Sequence, residues 1–213
     1  KKLWDEKLIY RGERIVNYCT QHQTSFSDIE VSFKPTKGKL WNIAYPTLDH
    51  IGEIVVATTR PETMLGDVAI AVHPDDERYK HLIGTRAMLP ILDKEIPIIA
   101  DEYVDSSFGT GALKITPAHD PNDFEIGERH SLERISVIDT EGKMTNVPFQ
   151  FMGLAPEDAR KRVLAALEAA ELRRGESTIE HSVGHCYKCD TVIEPLLKDQ
   201  WFISVKSLAE AAI

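Results

Sequence analysis

Two short knuckles, Cys19-Thr20-Gln21-His22 and Cys186-Tyr187-Lys188-Cys189, stand near opposite ends of a chain of 213 residues. A two-residue spacer lets both side chains of a knuckle reach one ion, and two knuckles complete a tetrahedral Cys3His shell suited to zinc. If they share an ion, the first and last stretches of the chain run side by side, and everything between them is one long excursion. Three cysteines form an odd set, which suits thiols or metal better than a disulfide framework. His181 and His185 are alternative ligands. A filled shell leaves no open position, so such a zinc pins the two arms and does no catalysis.

Both ends read as parts of something larger. Residues 3–10 resemble the last turns of a helix, with Leu3, Trp4 and Leu8 apolar and Gly12 just beyond, while "KSLAEAAI" at 206–213 opens a new helix. The expectation is an excised insertion. Composition shifts near Lys34-Pro35-Thr36-Lys37-Gly38 and near Gly175-Glu176-Ser177 divide it into an arm at 1–35, a central domain at 36–175 and a returning arm at 176–213.

Between the arms, short β segments are expected at 39–45, 51–59, 67–73, 112–117 and 134–139. Helical signals lie at "HPDDERYKHLIG", with Pro74 first and Gly84 as stop, and at "APEDARKRVLAALEAAELRRG". In the latter, Val163, Leu164 and Leu167 supply an apolar stripe and Gly175 a C-terminal cap. Many strands and few long helices point to an α+β fold built on a β-barrel surrounded by short helices.

The net charge of −9 argues against coating long nucleic acid, because phosphate neutralisation needs clustered Lys and Arg, but it leaves room to grip a short single-stranded end. Arg160-Lys161-Arg162 and Arg173-Arg174 read as solvated helix faces. No apolar run approaches the roughly 20 residues that span a bilayer, and the start lacks a signal-peptide core. A cytosolic protein is expected.

Two stretches could carry chemistry. In "VVATTRPETMLGD", Thr58, Thr59 and Arg60 follow an apolar strand, and Pro61 opens a short helix that Gly66 ends. Hydroxyls and backbone N–H groups converge there, which suits an oxyanion or a sugar as well as a plain capped turn. In "FGTGALKITPAHDPND", strand alternation sends Lys114 and Thr116 to one side. Asp120-Pro121 reads as N-cap plus first helical residue, placing Asp123 at the third position. His119, Asp120 and Asp123 match no established metal-ligand spacing. An acid/base pair remains open beside simple capping.

Together "ATTRPETMLGDVAIAVHPDDERYKHLIG", "FGTGALKITPAHDPNDFEIGERH", "SVIDTEGKM" and "IEPLLKDQWF" resemble the connective-peptide insertion of class I aminoacyl-tRNA synthetases, over almost the whole chain. The "KITPAHDPND" stretch is closest to the valyl branch. The resemblance implies an editing domain, a β-barrel between two stalk arms inserted in a Rossmann catalytic domain, which hydrolyses misacylated tRNA. For the valyl branch the error is threonine, the standard example of an added hydroxyl that a hydrophobic pocket rejects only weakly.

Carried over residue by residue, the resemblance makes Asp123 the partner of the substrate's α-ammonium, with Asp120 beside it. Lys114 and Thr116 line the threonyl side-chain pocket near His119. Phe108 stacks on the terminal adenine, and Arg60 meets the backbone of that end. Thr58, Thr59 and Thr63 build the ribose and ester side. The partners implied are the CCA end of tRNA(Val) carrying threonine and the remainder of the synthetase chain. No cofactor is implied for editing, and a structural zinc fits Cys19, His22, Cys186 and Cys189. The HIGH and KMSKS signatures of ATP-dependent activation are absent, so no ligase activity is expected of these residues. Two readings stand as alternatives: an isoleucyl editing domain clearing Val-tRNA(Ile), and a non-enzymatic zinc module that holds RNA.

Overall fold

A computed structural model describes residues 1–49 and 52–210. Its strands form three sheets. In the first, β1 (Ile9–Cys19) pairs antiparallel with β2 (Thr24–Phe26) on one side and with β10 (Glu194–Ile203) on the other, in register from Ile9 opposite Ile203 to Tyr18 opposite Glu194. In the second, β3 (Val31–Pro46) lies between β4 (Glu53–Thr58) and β9 (Arg173–Cys186). The third has the order β6 (Arg86–Leu89), β7 (Lys94–Ala100), β5 (Ala69–Val72), β8 (Ala112–Ile115), with β5 and β7 parallel and the other pairs antiparallel. The expected boundaries at 35/36 and 175/176 fall inside β3 and β9.

The fold is therefore mixed α+β, mostly antiparallel strands with few helices. Among the described residues no sheet closes into a barrel. The second and third sheets do meet at two seams, where Thr47 bridges Ala87 and where β4 lies close to β8. Ile43, Tyr45, Ile54 and Val56 from one sheet and Ile70, Val72, Leu89, Ile96 and Ile98 from the other share one core.

Helix α3 (Pro156–Ala169) covers this core with Ala159, Val163 and Leu167, all fully buried, while Leu164 is only half-buried. Truncating Leu167 to alanine costs about 2–5 kcal/mol, the range for an aliphatic core side chain. The helix stops at Ala170, and Glu171 turns the chain with a positive φ of 55°. Gly175 is not its cap; it lies inside β9. The other long helix, α2 (Pro121–His130), packs Ile126 on the far side of β5 and β8, against Val68, Ala71 and Ile115.

Several expected elements differ. The strand at 51–59 is seen as β4 from Glu53, with Ile51 outside the described residues. Residues 73–84 fold as turns with one 3-10 turn, Lys80–Leu82, because Asp76 is taken up by the Arg78 backbone and guanidinium and only Asp76 and Leu82 are buried. Residues 134–139 make no strand beyond a bridge from Ile138 to Met144. At the start, helix α1 covers only Lys2–Asp5, and Gly12 sits in β1. At the other end α4 covers Lys206–Glu210, residues 211–213 lying outside those described.

Candidate functional site

The seam between β4 and β8 opens into two adjoining hollows of about 300 and 280 Å³. They share Ala57, Phe108, Leu113, Asp120 and Asp123 as a common wall. The second hollow is lined by Thr58, Thr59, Arg60, Thr63, Phe108, Lys114, Thr116, His119, Asp120 and Asp123, with Leu40, Ile179 and His181 at its edge. Three chain segments far apart in sequence thus deliver their polar side chains to one place.

Asp123 arrives on the first turn of α2. Asp120 caps that helix, its Oδ1 accepting from the N–H groups of Asn122 (2.8 Å) and Asp123 (3.1 Å), and Pro121 opens it. Asp123 Oδ2 accepts the Thr116 N–H at 2.8 Å. Only 5% exposed, Asp123 has its pKa pushed up to about 7, first by burial and then by the nearby Asp120 carboxylate.

Deeper in the hollow, Lys114 Nζ donates to Thr63 Oγ1 (3.2 Å), Asp67 Oδ1 (3.1 Å) and Thr116 Oγ1 (2.5 Å). Thr116 Oγ1 in turn donates to Asp67 Oδ1 at 2.5 Å, and Tyr45 donates to Asp67 Oδ2 at 2.7 Å. Asp67 follows the 3-10 turn Pro61–Gly66 and is fully buried. Burial holds its pKa above the usual carboxylate range against the opposing pull of Lys114. Gly66 permits this closeness, since a Cβ there would lie 2.9 Å from the Ile135 carbonyl and 3.3 Å from Thr116 Cγ2.

On the third side the Arg60 guanidinium donates to Glu194 of β10, to Glu62 Oε1 (3.4 Å) and to the His119 carbonyl (3.4 Å). Arg160 of α3 grips Glu62 with two bonds of 2.8 Å. Burial alone would push Glu62 up, but its bonds from Arg160 and Arg60 outweigh that and hold it below the usual carboxylate range. His119, 2% exposed, accepts the Val137 N–H on Nε2 at 2.8 Å. Burial, with Arg60 and Lys114 nearby, lowers it to about 3, so the ring is neutral and carries its proton on Nδ1, 4.0 Å from Glu194 Oε1. Thr58 Oγ1 accepts the Arg60 N–H at 3.0 Å, and Thr63 Oγ1 donates to the Arg60 carbonyl at 3.0 Å.

At the rim, Phe108 is 56% exposed and faces both hollows. Its loop is held by Arg78 on the Ser106 carbonyl (2.6 Å) and by the Tyr79 hydroxyl on the Thr110 carbonyl (2.9 Å).

Away from the hollow, Cys19, His22, Cys186 and Cys189 bring their ligand atoms within 4.8 Å of one another. The Cys19 and Cys189 sulfurs are 3.6 Å apart, and His22 Nδ1 lies 3.4, 3.6 and 3.5 Å from Cys19, Cys186 and Cys189. A tetrahedral zinc asks for edges of about 3.8 Å between sulfurs and about 3.6 Å from sulfur to nitrogen, so the four residues fit it. They join the end of β1 to the end of β9, linking two sheets. His185 is engaged by the Asp190 carbonyl at 2.8 Å, and His181 stands at the hollow, so neither joins the group.

The family model of class I tRNA synthetases (I, L, M and V) matches residues 1–213. The chain belongs to this family. It is 54% identical over 212 residues to the valine--tRNA ligase of Carboxydothermus hydrogenoformans, covering 100% of this chain and 24% of that protein. Against the valine--tRNA ligase of Geobacillus stearothermophilus it is 57% identical over 212 residues, with 99% and 24% covered. For that of Bacillus subtilis the figures are 51% over 212 residues, 100% and 24%. The chain thus spans about a quarter of the length of these class I relatives.

Within this class I chain, the structure gathers all ten residues singled out for the pocket around one hollow. Sequence reasoning missed Asp67, Glu62, Glu194, Tyr45 and Arg160, whose contacts hold the pocket residues in place. Asp67 lies within Met64-Leu65-Gly66-Asp67-Val68-Ala69-Ile70, where a carboxylate in an otherwise apolar run is the signal, whereas Glu62, between Pro61 and Thr63, carries none. Glu194, 134 residues from Arg60, gave none. Among the described residues no helix is long and apolar enough to cross a membrane.

Proposed function

We propose that the chain is the post-transfer editing domain of a valyl-tRNA synthetase, and that its hollow hydrolyses the ester of threonine mischarged on tRNA(Val). In this reading residues 36–175 are the editing domain, a partly closed barrel, and 1–35 and 176–213 its stalk arms. Support comes above all from Asp123, a buried carboxylate beside a second carboxylate at the wall of a hollow large enough for an aminoacyl group. Such a group seeks a cation, and the α-ammonium of an aminoacyl ester is one. The relatives' names supply the amino acid class.

The chemistry asks little of the protein. Water adds to the ester carbonyl, the bond to the ribose oxygen breaks, and threonine leaves the free CCA end. An aminoacyl ester is already activated, so orientation and hydrogen-bond donors near the developing oxyanion suffice, without a covalent intermediate. The hollows are lined by no cysteine or serine among the described residues. Asp123 holds the ammonium with Asp120 beside it; Thr58, Thr59 and Thr63 face the ribose and ester; Lys114, Thr116 and His119 surround the side chain. Phe108 stacks on the terminal adenine, a contact indifferent to sequence, while Arg60 meets the backbone of that end and keeps its carboxylates. The ribose hydroxyl next to the ester assists the water.

A metal-dependent hydrolase using His119, Asp120 and Asp123 fits less well, since Nε2 of the histidine, Oδ1 of Asp120 and Oδ2 of Asp123 already accept backbone N–H groups. We also assign a structural zinc to Cys19, His22, Cys186 and Cys189, where it ties the arms together. The decisive experiment compares hydrolysis of Thr-tRNA(Val), Val-tRNA(Val) and Val-tRNA(Ile). Preference for the first carries the proposal, and preference for Val-tRNA(Ile) transfers it to the isoleucyl branch. Loss of all three, with RNA still bound, leaves a binding module.

A further inference from the structure

At the floor of the hollow every proton has a direction. Lys114 has three N–H bonds, and its three acceptors are Thr63, Asp67 and Thr116. Thr116 has one hydroxyl proton, given to Asp67, and Thr63 has one, given to the Arg60 carbonyl. Tyr45 also points its proton at Asp67. The chain of donors therefore ends in two sinks, the Asp67 carboxylate and a backbone carbonyl. A hydroxyl oxygen has two lone pairs, and each threonine has used one on Lys114. What Thr63 and Thr116 still offer a ligand is a lone pair each, and no proton.

We infer that Asp67 is a positioning residue that sets this polarity, so that the pocket floor binds a ligand's side-chain hydroxyl as a hydrogen-bond donor. The inference rests on the editing reading and deepens it: the substrate class is a β-hydroxy α-amino ester, recognised by its O–H proton. Valine fails because a methyl group leaves the Thr116 lone pair unpaired in a buried place, a penalty beyond the missing bond itself. A group of similar size that accepts but cannot donate fails as well, since it sets lone pair against lone pair. Lys114 on this account acts through Thr116, by fixing which way its hydroxyl points. Were Lys114 the direct donor, an accepting group would serve a ligand as well as a hydroxyl.

The test uses the chain itself with non-hydrolysable amide-linked aminoadenosines carrying threonine, valine, or the analogue in which fluorine replaces the threonine hydroxyl. Titration calorimetry should give threonine an affinity at least about tenfold above both others. Binding of the fluoro compound within threefold of the threonyl compound overturns the inference, and so does binding of none. Hydrolysis of Thr-tRNA(Val), measured on the same preparation, separates the two levels. Hydrolysis with threonyl and fluoro compounds bound equally removes the polarity argument alone, whereas the expected affinity order without hydrolysis removes the editing reading and leaves the polarity standing. In Asp67→Asn, which hands the floor an amide donor, the threonyl-over-fluoro preference should fall below threefold. A tenfold preference retained by the folded variant removes Asp67 from the role.

Discussion

Replacing Asp123 by asparagine should stabilise the chain while disabling the proposed site. The carboxyl is 5% exposed, and burial with the neighbouring Asp120 charge lifts its pKa from an ordinary 3.8 to about 7. An acid weaker in the folded state than in the unfolded one binds more protons when folded, so between these values folding loses stability as pH rises. The rise corresponds to about 4 kcal/mol at roughly 1.4 kcal/mol per tenfold change in the proton equilibrium. Asparagine keeps an oxygen for the Thr116 N–H, and the charge-assisted character it gives up there is already contained in that rise. The variant should therefore be more stable by about 4 kcal/mol at pH 8.5 and by only about 1 kcal/mol at pH 4.5. Urea unfolding at the two pH values measures this directly. A difference that does not grow with pH refutes the buried-charge argument. In the parent, kcat/KM for Thr-tRNA(Val) should rise through about pH 7 as the carboxylate forms, whereas the variant should lose most hydrolysis at every pH.

Glu62→Gln leaves two guanidiniums, those of Arg60 and Arg160, short of their shared carboxylate, and thermal unfolding should report a loss of about 3–5 kcal/mol. One equivalent of zinc should be found by elemental analysis and lost in Cys186→Ala; chelation should lower the thermal midpoint yet leave hydrolysis per folded molecule unchanged, and inhibition below that midpoint would count for a catalytic metal. Phe108→Ala should raise KM for the charged tRNA by about tenfold or more, as expected for one lost base stack, with the threonine-to-valine ratio unmoved. Lys114→Ala should instead collapse that ratio, and an intact ratio would remove it from the side-chain pocket.

What could be read beforehand was local. Asp120-Pro121 announces a helix start because an N-cap carboxylate and a proline lacking N–H each solve the same shortage of acceptors at a helix end. The strands holding the pocket are short apolar runs with turn residues behind them. By contrast β9, "RRGESTIEHSVGHC", has no apolar alternation, and most of its residues are at least partly exposed; it is a strand because β3 supplies a partner from Val31 to Ile43. The capping signals at 73–84 were genuine, yet with only two buried side chains there was no apolar stripe to dock a helix, and turns closed by Asp76 prevailed. Whether many strands close into a barrel depends on seams such as Thr47 with Ala87, which a strand count does not contain.

The charges around the hollow explain why an ammonium group should choose one place in it. Lys114 is matched by Asp67, and Arg60 and Arg160 are matched by Glu62 and Glu194. These pairs cost desolvation that their mutual attraction returns only while both partners stay, so they resist exchange with a ligand. Asp123 has a backbone N–H and a second carboxylate for company, an arrangement that penalises its ionised form. A cation arriving there removes that penalty, which is interaction free energy unavailable at the balanced pairs. In the proposed editing reading, the features that make Asp123 unfavourable in the empty site are therefore the ones that direct the α-amino group to it, leaving Thr116 to examine the side chain.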